Sequence, residues 1–239
     1  MAYHRMENMG EGYKKHTDFY NMVKEWTVSD YCTPGIKAEV ILDMLISDFI
    51  GDLLQLHYNT EKKVTLLLKE YPIQIYEDNN RNAKVDYLVY IEDTKMVLVE
   101  LKTTNDSFRN EQEWRIQQAV RSGAKSLIDF YNKIVELTGG NLPDRKKYAY
   151  SFEEFKRNLA SAHLNEEKVR AIQELDYLYV SLDDGNLKLP KQRNMILKDY
   201  CENGKQYENF KAGLENDERR ELWDSVSAIL KACMEKTVY

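Results

Sequence analysis

The fold of this chain is set by two neighbouring apolar stretches, VDYLVYI at residues 85–91 and MVLVELK at residues 96–102. Both are rich in β-branched, aromatic and aliphatic residues, and polar turn residues separate them, which predicts two consecutive β-strands. Asp86 lies in the first stretch, and Glu100 and Lys102 lie in the second. Side chains alternate across a strand, so Glu100 and Lys102 face the same side of the sheet. Ionisable residues inside such apolar strands indicate a site, because a buried charge needs a partner.

The loop between these strands determines whether the three ionisable side chains can meet. A loop of odd length, such as Glu92-Asp93-Thr94, places Asp86 directly opposite Glu100 on one face of the sheet. A two-residue loop places them on opposite faces unless a β-bulge intervenes. A shared site therefore requires the odd loop or a bulge.

The other predicted elements complete an α/β fold. Together with the two strands above, they give the order helix, three strands, helix, strand. This order predicts a mixed central sheet of about four strands flanked by helices, with extra N- and C-terminal helices. The first helix has Thr33 as its N-cap and Pro34 at its first position. In chain order, these elements are a helix over 34–56, a strand over 71–76, a helix over 108–137, a charged helical region over 151–175, a strand over 177–182 and a helical remainder.

Length and composition fit one folded domain. The chain has 239 residues, and 43% of them are hydrophobic, which is enough to bury a sizeable core. We expect a single domain over 1–239 with its core at about 33–182. Residues 1–32 and 183–239 are then helical elaborations of that core.

Composition also restricts the compartment and the partners. No apolar run reaches the roughly 20 residues that span a bilayer, and the polar N-terminus lacks a signal-peptide core. Cys32, Cys201 and Cys233 are an odd number without a CxxC pair, which predicts free thiols and a cytoplasmic location. The net charge of −6 argues against nonspecific coating of nucleic acid, although Lys and Arg outnumber Asp and Glu in residues 105–150.

The residue types around Glu100 predict a divalent-metal site. The carboxylates of Asp86 and Glu100, with the backbone carbonyl of Leu101, are hard oxygen ligands suited to Mg²⁺ or Mn²⁺. Glu39, on the first helix, could approach as a further ligand or through water. The Lys102 ammonium could orient an attacking water and stabilise negative charge on a phosphate. No Ser/His or Cys/His nucleophile set is evident among four scattered histidines: His4, His16, His57 and His163.

Asp86 followed by Glu100-Leu101-Lys102 resembles the D…ExK signature of the PD-(D/E)xK nuclease superfamily. The predicted element order, with Glu39 in the first helix, resembles that superfamily's restriction-endonuclease-like core over about 33–182. Val85-Asp86 stands where some members have Pro-Asp. The resemblance implies Asp86 and Glu100 as metal ligands, Lys102 as the catalytic lysine and Glu39 as an accessory acid. It implies a Mg²⁺-dependent deoxyribonuclease.

The predicted second helix supplies candidate nucleic-acid contacts. Many exonuclease-like members of the superfamily place a Gln near the site and a Tyr one turn later. Gln117 and Gln118 are candidates here, but the residue four positions on is Arg121 or Ser122. A basic, polar helix face could hold a phosphate backbone. The residues we assign to that face are Arg115, Gln117, Gln118, Arg121 and Lys125.

Other interpretations of these patterns stay open at this level. The E-x-K triplet could be a strand end emerging into solvent, because 31% of the residues are charged. Glu39 could be a surface carboxylate, and the basic helix face could be an ordinary solvated one. The alternative function is a catalytically inactive module of the same fold that binds nucleic acid or a protein partner. RNA as substrate and a homodimer through the C-terminal helix are also open.

Overall fold

A computed structural model describes residues 38–75, 82–103, 109–138, 143–182, 193–201 and 204–236. These residues form two compact units. The larger unit holds the described residues between Asp48 and Ser181, together with 193–195. The smaller unit holds 38–47, Leu182 and the described residues from Ile196 onward. The predicted helix start at Thr33-Pro34 lies outside the described residues.

A mixed sheet confirms the α/β class. Within the described part of the chain it has five strands: β1 Val64–Ile75, β2 Asn82–Ile91, β3 Lys95–Lys102, β4 Glu174–Ser181 and β5 Asn194–Ile196. Their spatial order is β1-β2-β3-β4-β5. The β1–β2 and β2–β3 pairs are antiparallel, and β3 and β4 are parallel. The prediction of about four strands missed β5, because three residues are too few for a periodic pattern.

In the described part of the chain, helices precede, separate and follow these strands. One helix that the sequence predicted as continuous is divided in two. The single helix predicted over 34–56 is wrong, because its described part ends at Ile46 and a second helix begins at Ile50. Ser47 and Asp48 lie in the interruption, where short polar side chains compete with helical backbone hydrogen bonds. The helices are α1 Ala38–Ile46, α2 Ile50–His57, α3 Asn110–Thr138, α4 Pro143–Ser161, α5 Glu166–Ala171, α6 Lys198–Cys201, α7 Lys205–Gly213 and α8 Asp217–Lys236.

The β2–β3 hairpin has the odd loop that a shared site requires. Ile91 pairs with Lys95, and the same register continues to Tyr87 and Val99, so Glu92-Asp93-Thr94 forms the loop. Asp93 has a left-handed φ of 53°, which Asp adopts more readily than most residues. The Thr94 N–H donates to the Ile91 carbonyl at 3.0 Å, which closes the turn. One further step in this register places Asp86 opposite Glu100.

Helix α3 packs on the sheet face that carries Glu100. Ile116 and Leu127 of α3 are buried in one core with Leu88, Leu98 and their neighbours on the sheet. The Tyr71 hydroxyl of β1 donates to the Leu127 carbonyl at 2.8 Å, which fixes the helix to the edge strand. The helical pattern predicted over 108–137 is therefore present, and its apolar side faces the sheet.

A kink interrupts α3 at Gly123, which has φ 76° and ψ 173°. This backbone conformation is open almost only to glycine. We expect Gly123→Ala to lower the free energy of unfolding by about 1–3 kcal/mol. The cost is conformational, since an added Cβ would meet no atom within 4 Å.

Urea denaturation followed by circular dichroism measures this effect. Gly213→Ala in α7 is the matched control, because its Cβ also has open space and its φ is not left-handed. The control should be neutral or stabilising by up to about 1 kcal/mol. Equal unfolding midpoints for Gly123→Ala and the wild type would contradict the proposed strain.

The smaller unit has its own core around Trp223 of α8. Trp223 is 0% exposed, its Nε1–H donates to the Tyr200 carbonyl at 3.1 Å, and its ring lies 4.6 Å from that of Phe210. Val226 and Ile229 of α8 are buried in this unit as well. None of the described helices combines the length and the apolar character needed to cross a membrane.

Candidate active site

The centre of the site is an ion pair buried at the end of β3. The Lys102 Nζ lies 2.9 Å from Glu100 Oε1. Lys102 is only 2% exposed and Glu100 only 6%, so this strand end does not emerge into solvent. Charges this deeply buried are tolerated only when they are paired and hydrogen-bonded. The alternation of β3 therefore places both groups in the interior, on the face that α3 covers.

Gln112, in the first turn of α3, joins the two charged groups. Its Oε1 accepts a hydrogen bond from Lys102 Nζ at 2.9 Å, and its Nε2 donates to Glu100 Oε1. One amide thus meets the donor and the acceptor of the ion pair, which fixes the positions of both side chains. Gln112 was not among the predicted site residues, because the glutamines selected from the sequence were Gln117 and Gln118, later in the helix. The available signal was a Gln in the first turn of the helix that follows Lys102.

Asp86 lies beside the backbone of β3. The Leu101 N–H donates to Asp86 Oδ2 at 2.6 Å. The β2–β3 ladder ends at the pair Tyr87–Val99. Just beyond this pair, the Asp86 side chain rather than a β2 carbonyl accepts the hydrogen bond from the Leu101 N–H. Its carboxylate therefore lies next to the peptide that joins Glu100 to Leu101. The structure therefore pairs Glu100 with Lys102 and places Asp86 against the backbone of Leu101 between them in sequence, on the shared face that the odd loop allows.

Tyr179 of β4 adds a hydroxyl to the same polar layer. In the parallel β3–β4 register, Tyr179 lies directly beside Glu100. Burial raises the pKa of Tyr179 above its ordinary value, and the Glu113 and Glu100 carboxylates raise it further. The hydroxyl is therefore protonated at neutral pH and keeps its hydrogen-bond donor. Tyr179 was not among the predicted site residues, because Tyr179 and Glu100 are far apart in the chain and only the β3–β4 pairing brings them together.

The predicted nucleic-acid residues lie on different sides of α3. Gln117 points to the sheet, where its Nε2 donates to Glu113 at 3.1 Å and approaches the Tyr177 hydroxyl at 3.4 Å. Arg121 and Lys125 are exposed. Gln117, Arg121 and Lys125 follow one another at intervals of four residues, but the kink at Gly123 lies between Arg121 and Lys125, so the three do not share one helix face. Arg115 pairs with Glu111, and with Gln118 it lines a groove considered below.

The carboxylates of Asp86 and Glu100 are the side chains at this site that could hold a small divalent cation. Among the described residues, no group of three or more His, Cys, Asp and Glu side chains could hold a metal ion. Asp86 and Glu100 still provide two carboxylates from facing positions, and Mg²⁺ is commonly held by one or two carboxylates with water in its remaining positions. Glu39 belongs to α1 in the smaller unit, and its side chain lies outside the described part of the structure.

No protein-family model, curated protein or solved structure matches this chain. The geometry of the site and the motif resemblance are therefore the grounds for assigning a function.

Proposed function

We propose that this chain is a Mg²⁺- or Mn²⁺-dependent nuclease that hydrolyses phosphodiester bonds in DNA. One observation carries the proposal: Glu100 and Lys102 form a buried pair at the end of β3, the Asp86 carboxylate binds the Leu101 N–H between them in sequence, and Gln112 of α3 contacts the pair. The element order of two short helices, three antiparallel strands, further helices and a parallel strand also supports it, since it is close to the helix, three strands, helix, strand order of the core that the D…ExK motif resembles.

The reaction requires charge to be stabilised at a phosphate. Hydrolysis joins a water oxygen to phosphorus and breaks the bond from phosphorus to one ester oxygen, which takes up a proton. A bound Mg²⁺ or Mn²⁺ supplies Lewis-acid activation of water and charge neutralisation at the phosphate. Asp86 and Glu100 are the side chains that would hold this cation. The Lys102 ammonium stabilises the charge that develops on the phosphate oxygens in the transition state.

Gln112 acts as a positioning residue. Its amide donates to Glu100 and accepts from Lys102, so it holds the carboxylate and the ammonium in a fixed relation. Fixed dipoles and charges stabilise a transition state without reorganising during the reaction, which is the basis of electrostatic catalysis. Tyr179, protonated and next to Glu100 on β4, supports the same arrangement.

One observation favours a second candidate function, a binding module without hydrolysis. Lys102 and Glu100 satisfy each other at 2.9 Å, and both are almost fully buried. A pair of this kind can serve as a structural polar contact in a core. In that case the same fold would bind nucleic acid or a protein through other surfaces.

Hydrolysis assays with a Glu100→Gln variant separate the two functions. The wild type and the variant are each incubated with four substrates: supercoiled, linear and single-stranded DNA, and RNA of matched sequence. Each incubation is done in Mg²⁺, in Mn²⁺ and in EDTA. The nuclease proposal expects metal-dependent cleavage by the wild type and a loss of about 100-fold or more in the variant, comparable to losing one electrostatic contact in an active site. No metal-dependent activity in either protein favours the binding module, and equal activity in both shows that Glu100 takes no part in hydrolysis.

A further inference from the structure

Trp114 is an exposed indole on the helix that covers the site. It is 51% exposed, whereas Trp223, the other tryptophan in the described residues, is fully buried. Aromatic side chains bury large areas when they are in contact with a partner, and Trp is enriched where such contacts form. Trp114 lies in the first turns of α3, two residues after Gln112.

A polar and basic groove runs beside Trp114. It has a volume of about 210 Å³ between α3 and Ile73 of β1, and the side chains along it include Arg115, Gln118, Ser122, Ser126 and Lys133. Among the residues that the structure describes, two cationic side chains and no Asp or Glu line it. In a chain with a net charge of −6, this lining is complementary to an anion rather than to a cation.

Trp114 neighbours one residue of the groove, Gln118, on the surface of α3. Trp114 and Gln118 are one helical turn apart, so their side chains are neighbours on the helix. Gln112 and Trp114 point in directions about 200° apart, because each helical residue turns by about 100°. The indole therefore lies on the outer side of α3, while Gln112 reaches the ion pair beneath the helix.

We propose that this outer side of α3 binds a single-stranded segment of nucleic acid, with an unpaired base stacked on Trp114 and phosphates held by Arg115 and Lys133. A groove with basic side chains and an exposed aromatic platform is the arrangement that binds single strands. In a duplex, each base face is covered by its neighbours and is not available to the indole. Arg115 also pairs with Glu111 on the helix surface, and such exposed pairs are weak enough for a phosphate to displace.

The proposal rests on the proposed nuclease function, since it names the form of the nucleic acid that this site would receive. The bound strand would then lie on the same helix whose first turn carries Gln112, the residue that contacts Glu100 and Lys102. A substrate with an unpaired end or gap would be preferred over a blunt duplex.

Fluorescence anisotropy with a fluorescein-labelled 12-nucleotide DNA, in EDTA to prevent hydrolysis, tests the proposal. We expect single-stranded DNA to bind at least about tenfold more tightly than a blunt duplex of the same sequence. Trp114→Ala should weaken single-strand binding by about tenfold or more, in line with the loss of one stacked base. Tyr150→Ala is the matched control, because Tyr150 is also an exposed aromatic on a helix, and it should bind like the wild type.

The salt dependence of binding gives an independent measurement. Replacing both Arg115 and Lys133 by Gln should reduce the slope of log K against log salt by about 1.4, because each phosphate contact to a single strand contributes about 0.7. An unchanged slope would overturn the assignment of phosphate contacts. An RNA 12-mer that binds as tightly and loses affinity in Trp114→Ala supports the surface, with RNA as its ligand.

The outcomes also separate this inference from the proposed function. Glu100-dependent hydrolysis with wild-type binding by Trp114→Ala overturns the single-strand surface alone. Loss of binding in Trp114→Ala without any Glu100-dependent hydrolysis overturns the nuclease alone. Self-association that Trp114→Ala abolishes, with oligonucleotide binding unchanged, identifies a protein interface and overturns the inference.

Discussion

Lys102→Met is expected to reduce the rate of phosphodiester hydrolysis by about 100- to 1,000-fold, the usual effect of removing one preorganised electrostatic contact from an active site. Methionine keeps an unbranched chain of similar length in the buried position and removes the ammonium group. The variant therefore tests the charge of Lys102 rather than the space it fills. The rate is measured with saturating metal and with the DNA that the wild type cleaves fastest.

Lys63→Met is the matched control for this change. Lys63 is exposed and directly precedes β1, so the same substitution there removes a surface charge far from any reacting group. We expect its hydrolysis rate to stay within about twofold of the wild type. A Lys102→Met protein with full activity would show that the ammonium takes no part in the reaction, and the proposed mechanism would fail.

The second large effect is on stability. Lys102→Met alone leaves the carboxylate of Glu100 buried without its ammonium partner, and losing one member of a buried pair costs about 3–5 kcal/mol. Combining it with Glu100→Gln removes both charges at similar volume, and the neutral amide can still bond to Gln112. Replacing a buried pair as a whole is often neutral or stabilising. We therefore expect the double variant to recover most of the stability that the single variant loses.

Chemical denaturation of the wild type, the two single variants and the double variant gives the coupling energy between Glu100 and Lys102. Additive effects of the two substitutions would contradict a buried, mutually dependent pair. The double variant also separates the two predictions, because it should be folded and stable and yet unable to hydrolyse DNA. If it retains activity, neither charge is catalytic.

The hairpin and its charged residues were predictable because their determinants are local. Apolar and β-branched residues at 85–91 and 96–102 specify strands, and alternation along a strand puts Glu100 and Lys102 on one face. The short loop between them allowed two registers, and the structure shows the odd one. The mixed α/β architecture and the long helix after Lys102 followed from the same kind of periodic pattern.

Predictions of where a helix breaks and where a short strand forms failed or were incomplete, because the local sequence specifies these features only weakly and tertiary packing decides them. The helix over 34–56 is interrupted near Ser47 and Asp48, and the kink at Gly123 divides the basic face that the spacing of Arg121 and Lys125 indicated. A single glycine is tolerated in many helices, so its presence did not specify a break. β5 is too short to be recognised from periodicity.

Asp86, Glu100 and Lys102 could be selected from the chain alone, because one hairpin and one alternation rule connect them. Long-range packing brought in Gln112 and Tyr179, since their contacts with Glu100 depend on where α3 crosses the sheet and on the parallel register of β4. Packing likewise determined that Lys102 is buried and that Trp114 is exposed. A local pattern specifies which side of a strand or helix a residue takes, whereas its partners and its contact with water depend on elements distant in sequence.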